Sequence, residues 1–94
     1  MSSSLHSHHY HIFRNLLVSA REKSGLTQVQ IADQLGKPQS FISKYERGER
    51  RLDFTEFIEL AEVLGIDVVD FMNHYQTAIT EITIQKTYRV KKSN

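Results

Sequence analysis

Apolar residues recur three and four apart in five stretches of this chain, and each stretch predicts an amphipathic helix. The first covers about 8–24, with Phe13, Leu16, Leu17 and Ala20 on one stripe. The second, Gln28–Leu35, turns Ile31, Ala32 and Leu35 inward, and the third, 38–47, does the same with Ile42 and Tyr45. The fourth, Phe54–Leu64, buries Phe57, Leu60, Ala61 and Leu64. The fifth, 68 to about 75, carries Val68, Phe71 and Met72 inward. Gly25, Gly36, Gly48 and Gly65 each close such a stretch, where a left-handed cap suits a residue without a Cβ. Start signals follow them. Thr27 with Gln30 reads as a capping box, as does Asp53 with Glu56, and Asp67 is an N-cap before Val68. Pro38 fits a first helical turn, where a missing N–H costs nothing.

Beyond the fifth stretch the period changes. From 80 to 90 the even positions hold Ile82, Ile84, Tyr88 and Val90, and the odd ones hold Glu81, Thr83, Gln85, Thr87 and Arg89. That is strand alternation rich in β-branched residues, interrupted by Lys86. A lone strand leaves its backbone groups unpaired, and no other part of the chain alternates this way. The expected partner is the same segment of a second copy, paired antiparallel and packed on the fifth helix around Phe71, Met72 and Tyr75. The alternative is a disordered basic tail. The expected architecture is therefore all-α, five helices, with a C-terminal β-strand extension used in dimerisation. It divides into a flexible N-terminal extension (1–10), a helical domain (11–75) and a strand-like extension with a basic tail (76–94).

Composition narrows the chemistry. Ninety-four residues make one domain. The absence of cysteine excludes disulfides, zinc–thiolate sites and thiol catalysis. No apolar run approaches a membrane span, and the polar, His-rich start lacks a leader's apolar stretch, so a cytoplasmic protein is expected. His6, His8, His9 and His11 could gather a metal ion, yet no Cys or carboxylate completes the set, and only adventitious affinity is expected. There is no phosphate-cradling glycine loop and no convergent acid/base pair, so neither enzymatic activity nor a cofactor is expected. The net charge of +1 conceals an asymmetry: residues 14–51 hold eight bases against four acids, and residues 52–75 hold six acids and no base. A basic half and an acidic block suit a polyanion on one side only, with Glu56, Glu59 and Glu62 turned away from it.

The second and third helices are joined by Gly36 and Lys37 alone, which forces the large crossing angle of a helix-turn-helix. The third helix then offers hydrogen-bonding residues, Gln39, Ser40, Ser43 and Lys44, with reach to base edges in a major groove. Phe41 among them reads equally as contact with a thymine methyl or as packing on the second helix.

At these residues, GLTQVQIADQLG (25–36) and PQSFISKYERG (38–48), the chain resembles the phage-repressor-type DNA-binding domain, the XRE, Cro and lambda repressor-like family. The docking geometry of that family is the general helix-turn-helix case. The resemblance implies duplex DNA binding, with Gln39, Ser40, Ser43 and Lys44 at base edges and Gln28 on a phosphate at a helix N-terminus. It implies Arg47, Arg50 and Arg51 along the backbone or minor groove, and Lys37, at the start of the same basic stretch, is a further expected DNA contact. It also implies an ion pair between Arg21 and Glu46. The expected function is a transcriptional regulator, a repressor on a palindromic operator bound as a homodimer. The alternative is an antitoxin-type interaction protein whose tail holds a partner protein and whose helix-turn-helix regulates its own promoter.

Overall fold

In the computed structural model, residues 3–92 are described as backbone and residues 8–82 with their side-chain surroundings. Five helices succeed one another: α1 Ser3–Ser24, α2 Gln28–Leu35, α3 Gln39–Glu46, α4 Phe54–Leu64 and α5 Val68–Lys92. The start signals act as read. Thr27 and Asp53 each accept the N–H three residues on, at 3.1 and 2.7 Å, while Gln30 and Glu56 reach back to the cap amides. Asp67 Oδ1 takes the Asp70 N–H at 3.0 Å. Pro38 lies just outside its helix, as the N-cap (φ −71°, ψ 152°), because the tight turn from Gly36 needs one extended residue before α3 can begin.

Leu17, Ile31, Ile42, Tyr45 and Leu60 are fully buried and draw α1 to α4 around one core. Each such side chain contributes roughly 1.5–3 kcal/mol by leaving water. Phe13 of α1 then meets Phe57, Phe71 and Tyr75 edge-on, at ring distances of 5.4, 5.8 and 6.4 Å. Such pairs add about 0.5–1.5 kcal/mol each beyond burial, and here they fasten α5 to α1 and α4.

Three expectations are corrected. The expected strand at 80–90 is helical: α5 runs on through it to Lys92, and no strand occurs among the described residues. The physical reason lies in the cost of starting a helix. Extending one that is already nucleated at Val68 satisfies every further N–H within the segment, whereas a strand needs a partner. No Gly or Pro follows Gly65 to stop it. Tyr75, Ile79 and Ile82 also continue the helical spacing, and each is partly buried. The packing expected of Ile84, Tyr88 and Val90 falls outside the residues with described side chains. Second, α1 starts at Ser3, well before residue 8, and Tyr10 is tied into the fold. Third, Met72 is half exposed, because one residue's helical rotation from buried Phe71 carries it off the inward stripe.

Candidate nucleic-acid interface

The two helices of the motif are set by their turn. Gly36 adopts φ +68°, the left-handed cap that α2 requires, and the Lys37 N–H closes on the Ala32 carbonyl at 2.9 Å. Ile31 and Ala32 of α2 and Ile42 and Tyr45 of α3 bury the inner faces. What remains outside on α3 is Gln39, Ser40 and Lys44, exposed, with Ser43 half-buried and its hydroxyl donating to the Ser40 carbonyl at 3.3 Å.

A polar chain runs beneath that ridge. Arg21 grips Glu46 in bidentate fashion, Nε to Oε2 at 2.6 Å and Nη2 to Oε1 at 3.1 Å, and donates a third bond to the Leu26 carbonyl at 3.2 Å. The Glu46 hydrogen bond, foremost among several effects, raises the Arg21 pKa, so the guanidinium stays charged. Gln28 Nε2 donates to Glu46 Oε1 at 2.8 Å, and Gln39 Nε2 donates to Gln28 Oε1 at 3.2 Å. An amide has two N–H groups. One is held by Gln28, leaving Gln39 an N–H and a carbonyl, the pair that adenine N7 and N6 accept and donate to. The ion pair at the end of α1 is thus linked through Gln28 to the exposed Gln39 side chain on α3.

The remaining expected contacts separate into two groups. Lys37 and Arg50 both lie over the Phe41 ring, at 4.9 and 4.6 Å, so the aromatic ring joins two cations beside the ridge. Phe41 also meets Tyr45 edge-on at 6.2 Å. Arg50 is further clamped by Glu56, at 2.8 and 3.1 Å. Arg47 turns to Glu49, with Nε to Oε2 at 2.9 Å. Arg51 meets no carboxylate among the described residues and stacks over Tyr10 at 4.6 Å. Glu56 departs from the solvent-facing stripe expected for it. Arg50 and the Asp53 amide hold its carboxyl below the usual range, while Glu59 and Glu62 stay exposed.

Sequence reasoning missed Tyr10 and Arg14, two residues one turn apart on α1. The Tyr10 hydroxyl accepts the Leu52 N–H at 3.0 Å and donates to the Arg50 carbonyl at 3.4 Å. Arg14 Nη1 donates to the Glu46 carbonyl at 2.6 Å. No local pattern announces bonds that span more than thirty positions; the four-residue spacing of two long polar side chains was the only hint. Among the described residues no helix is long and apolar enough to cross a membrane.

Comparison with known proteins agrees with this geometry. A family model described as helix-turn-helix matches residues 17–71. No curated protein matches. The structure is similar to that of an XRE-family like protein from Pseudomonas syringae pv. tomato str. DC3000, with 36% identity over 82% of this chain and 94% of that one, and a TM-score of 0.77. It also resembles the clp gene regulator ClgR from Corynebacterium glutamicum, at 18% identity over 86% of each chain and a TM-score of 0.69, a likeness of fold alone.

Proposed function

The chain belongs to the XRE-type helix-turn-helix family and is a DNA-binding transcriptional regulator, and from that premise we propose that it is a repressor binding a palindromic operator as a homodimer. The observation that carries the reading is the exposed ridge Gln39, Ser40 and Lys44 with Gln39 already oriented by Gln28. A side chain fixed before binding loses less entropy on reading a base. Lys37, Ser43, Arg47, Arg50 and Arg51 border that ridge in the proposal, Gln28 supports it from beneath, and phosphate contacts set its register.

One recognition helix reads only a few base pairs, so two copies related by a two-fold axis present two helices about 34 Å apart along the duplex. The surface favouring such a pairing is apolar. A groove of about 330 Å³ lies between the start of α4 and α5, and Phe54 (72% exposed) and Met72 (49% exposed) border it. The functional test is selection of bound genomic fragments, followed by titration of the selected site. Gln39→Ala should cost about 1–3 kcal/mol on that site and much less on random duplex. Equal losses on both duplexes would remove Gln39 from base reading.

A further inference from the structure

Five arginines have described side chains, and carboxylates sort them. Arg21, Arg47 and Arg50 each face one, at 2.6, 2.9 and 2.8 Å. Among the described residues Arg14 and Arg51 face none, and these two line one notch of about 270 Å³ together with Tyr10, His11 and Gly48. Among the described residues no carboxylate lines it.

Both guanidinium groups are held in place by partners that carry no negative charge. Arg14 Nη1 is anchored on the Glu46 carbonyl, and Nη2 donates to His11 Nδ1 at 2.8 Å. Arg51 lies over the Tyr10 ring at 4.6 Å, and the Tyr10 hydroxyl is itself held by the Leu52 amide. Gly48, at φ +79°, opens the remaining side: a Cβ there would come within 3.3 Å of Arg14 Nε. Two cations around an open notch, each with N–H groups to spare and no counter-charge among the described residues, make a site for an anion. Guanidinium groups match phosphate in particular, through paired N–H donors.

We propose that this notch binds a phosphate group. Resting on the reading of the chain as DNA-binding, that phosphate belongs to the duplex backbone, beside the loop that follows α3. Tyr10, His11 and Arg14 precede the residues 17–71 that match the helix-turn-helix family, and Gly48 and Arg51 lie within them, so the notch joins the motif to the helix before it.

The test uses the full chain, with Arg14→Gln and Arg51→Gln. Affinity for a random-sequence duplex is measured against salt, and the Gly48 amide and the Arg14 and Arg51 Nε–H resonances are followed by NMR with duplex and with inorganic phosphate. One phosphate contact contributes a slope of about −0.9, or about eightfold in affinity for a tenfold change in salt. Each variant should flatten the slope by about that much, equally on all sequences, and duplex should shift all three resonances. Arg14 also anchors the Glu46 carbonyl, so its variant is checked by thermal melting. Arg51 makes no such anchor, and its variant keeps the test open if the first fails to fold. Binding of duplex with unchanged slopes in both variants overturns the notch and leaves the DNA reading standing. If the unsubstituted chain binds no duplex, the DNA reading falls. Saturable shifts with inorganic phosphate would then keep the notch as a site for free phosphate, and their absence would overturn it too.

Discussion

Glu46→Ala is the perturbation that most directly links folding to recognition. The Glu46 side chain is 8% exposed and that of Arg21 17%. The substitution removes two charge-assisted bonds to Arg21 and one to Gln28. Charge-assisted bonds contribute about 1.5–3 kcal/mol each, and stranding one partner of a buried pair costs about 3–5 kcal/mol. Arg21 retains the Leu26 carbonyl and some access to water, which places the expected loss near the low end, about 3 kcal/mol. A domain of this size has roughly 5–14 kcal/mol in total, so the variant should fold. In urea its midpoint should fall by about 2–3 M for a slope near 1–1.5 kcal/mol per molar. The apolar pair Arg21→Met with Glu46→Leu should recover most of the loss, because neither charge is then stranded. The same Glu46→Ala variant should lose discrimination between operator and random duplex, since Gln28 no longer has its anchor for Gln39. A loss under about 1 kcal/mol would place the pair with ordinary surface ion pairs and refute the reasoning.

Tyr45→Phe should raise the melting temperature by about 4–8 °C, for a gain near 1 kcal/mol, because the fully buried hydroxyl has no partner among the described residues; a fall would reveal one. Burial also pushes the Tyr45 phenol above its usual range, so the unfolded chain ionises first. Its contribution is complete below about pH 10 and is lost as pH rises further, and Phe should abolish that alkaline decline in a denaturation series. Glu56→Gln should cost about 0.5–1 kcal/mol at neutral pH through loss of the Arg50 pair, whereas Glu59→Gln and Glu62→Gln should each stay within about 0.5 kcal/mol. Because the Glu56 carboxyl is held low, the stability it supplies is present above about pH 4.5 and fades as pH falls; an unchanged acid limb in the Glu56→Gln variant would contradict this. Thr80→Pro, inside α5, should lower helical circular dichroism and cost up to about 3 kcal/mol; an unchanged spectrum would return the segment to a non-helical state.

The parts of this fold legible in the sequence are those decided within a few residues. Thr27 with Gln30, Asp53 with Glu56 and the left-handed Gly36 bracket the recognition unit by chemistry that needs no distant partner. The tail misled because residues 79–82 satisfy two periods at once. Alternation counted from Ile82 forward reads as a strand, and spacing counted back to Ile79 and Tyr75 reads as a helix. Only the helix already formed at Val68 decides between them. The charge distribution misled in a subtler way. Counting bases from 14 to 51 treats all eight as available to a polyanion. Folding sets Arg21, Arg47 and Arg50 against carboxylates, two of them more than one turn away in sequence, and each such pair offsets its own attraction for phosphate. On the reading proposed above, the positive field toward DNA comes from the cations left without a carboxylate among the described residues, Arg14, Lys23, Lys37, Lys44 and Arg51, of which Arg14 lies outside the motif altogether. A steep salt dependence therefore tests which cations the fold leaves without a counter-charge, a property that no count along the chain contains.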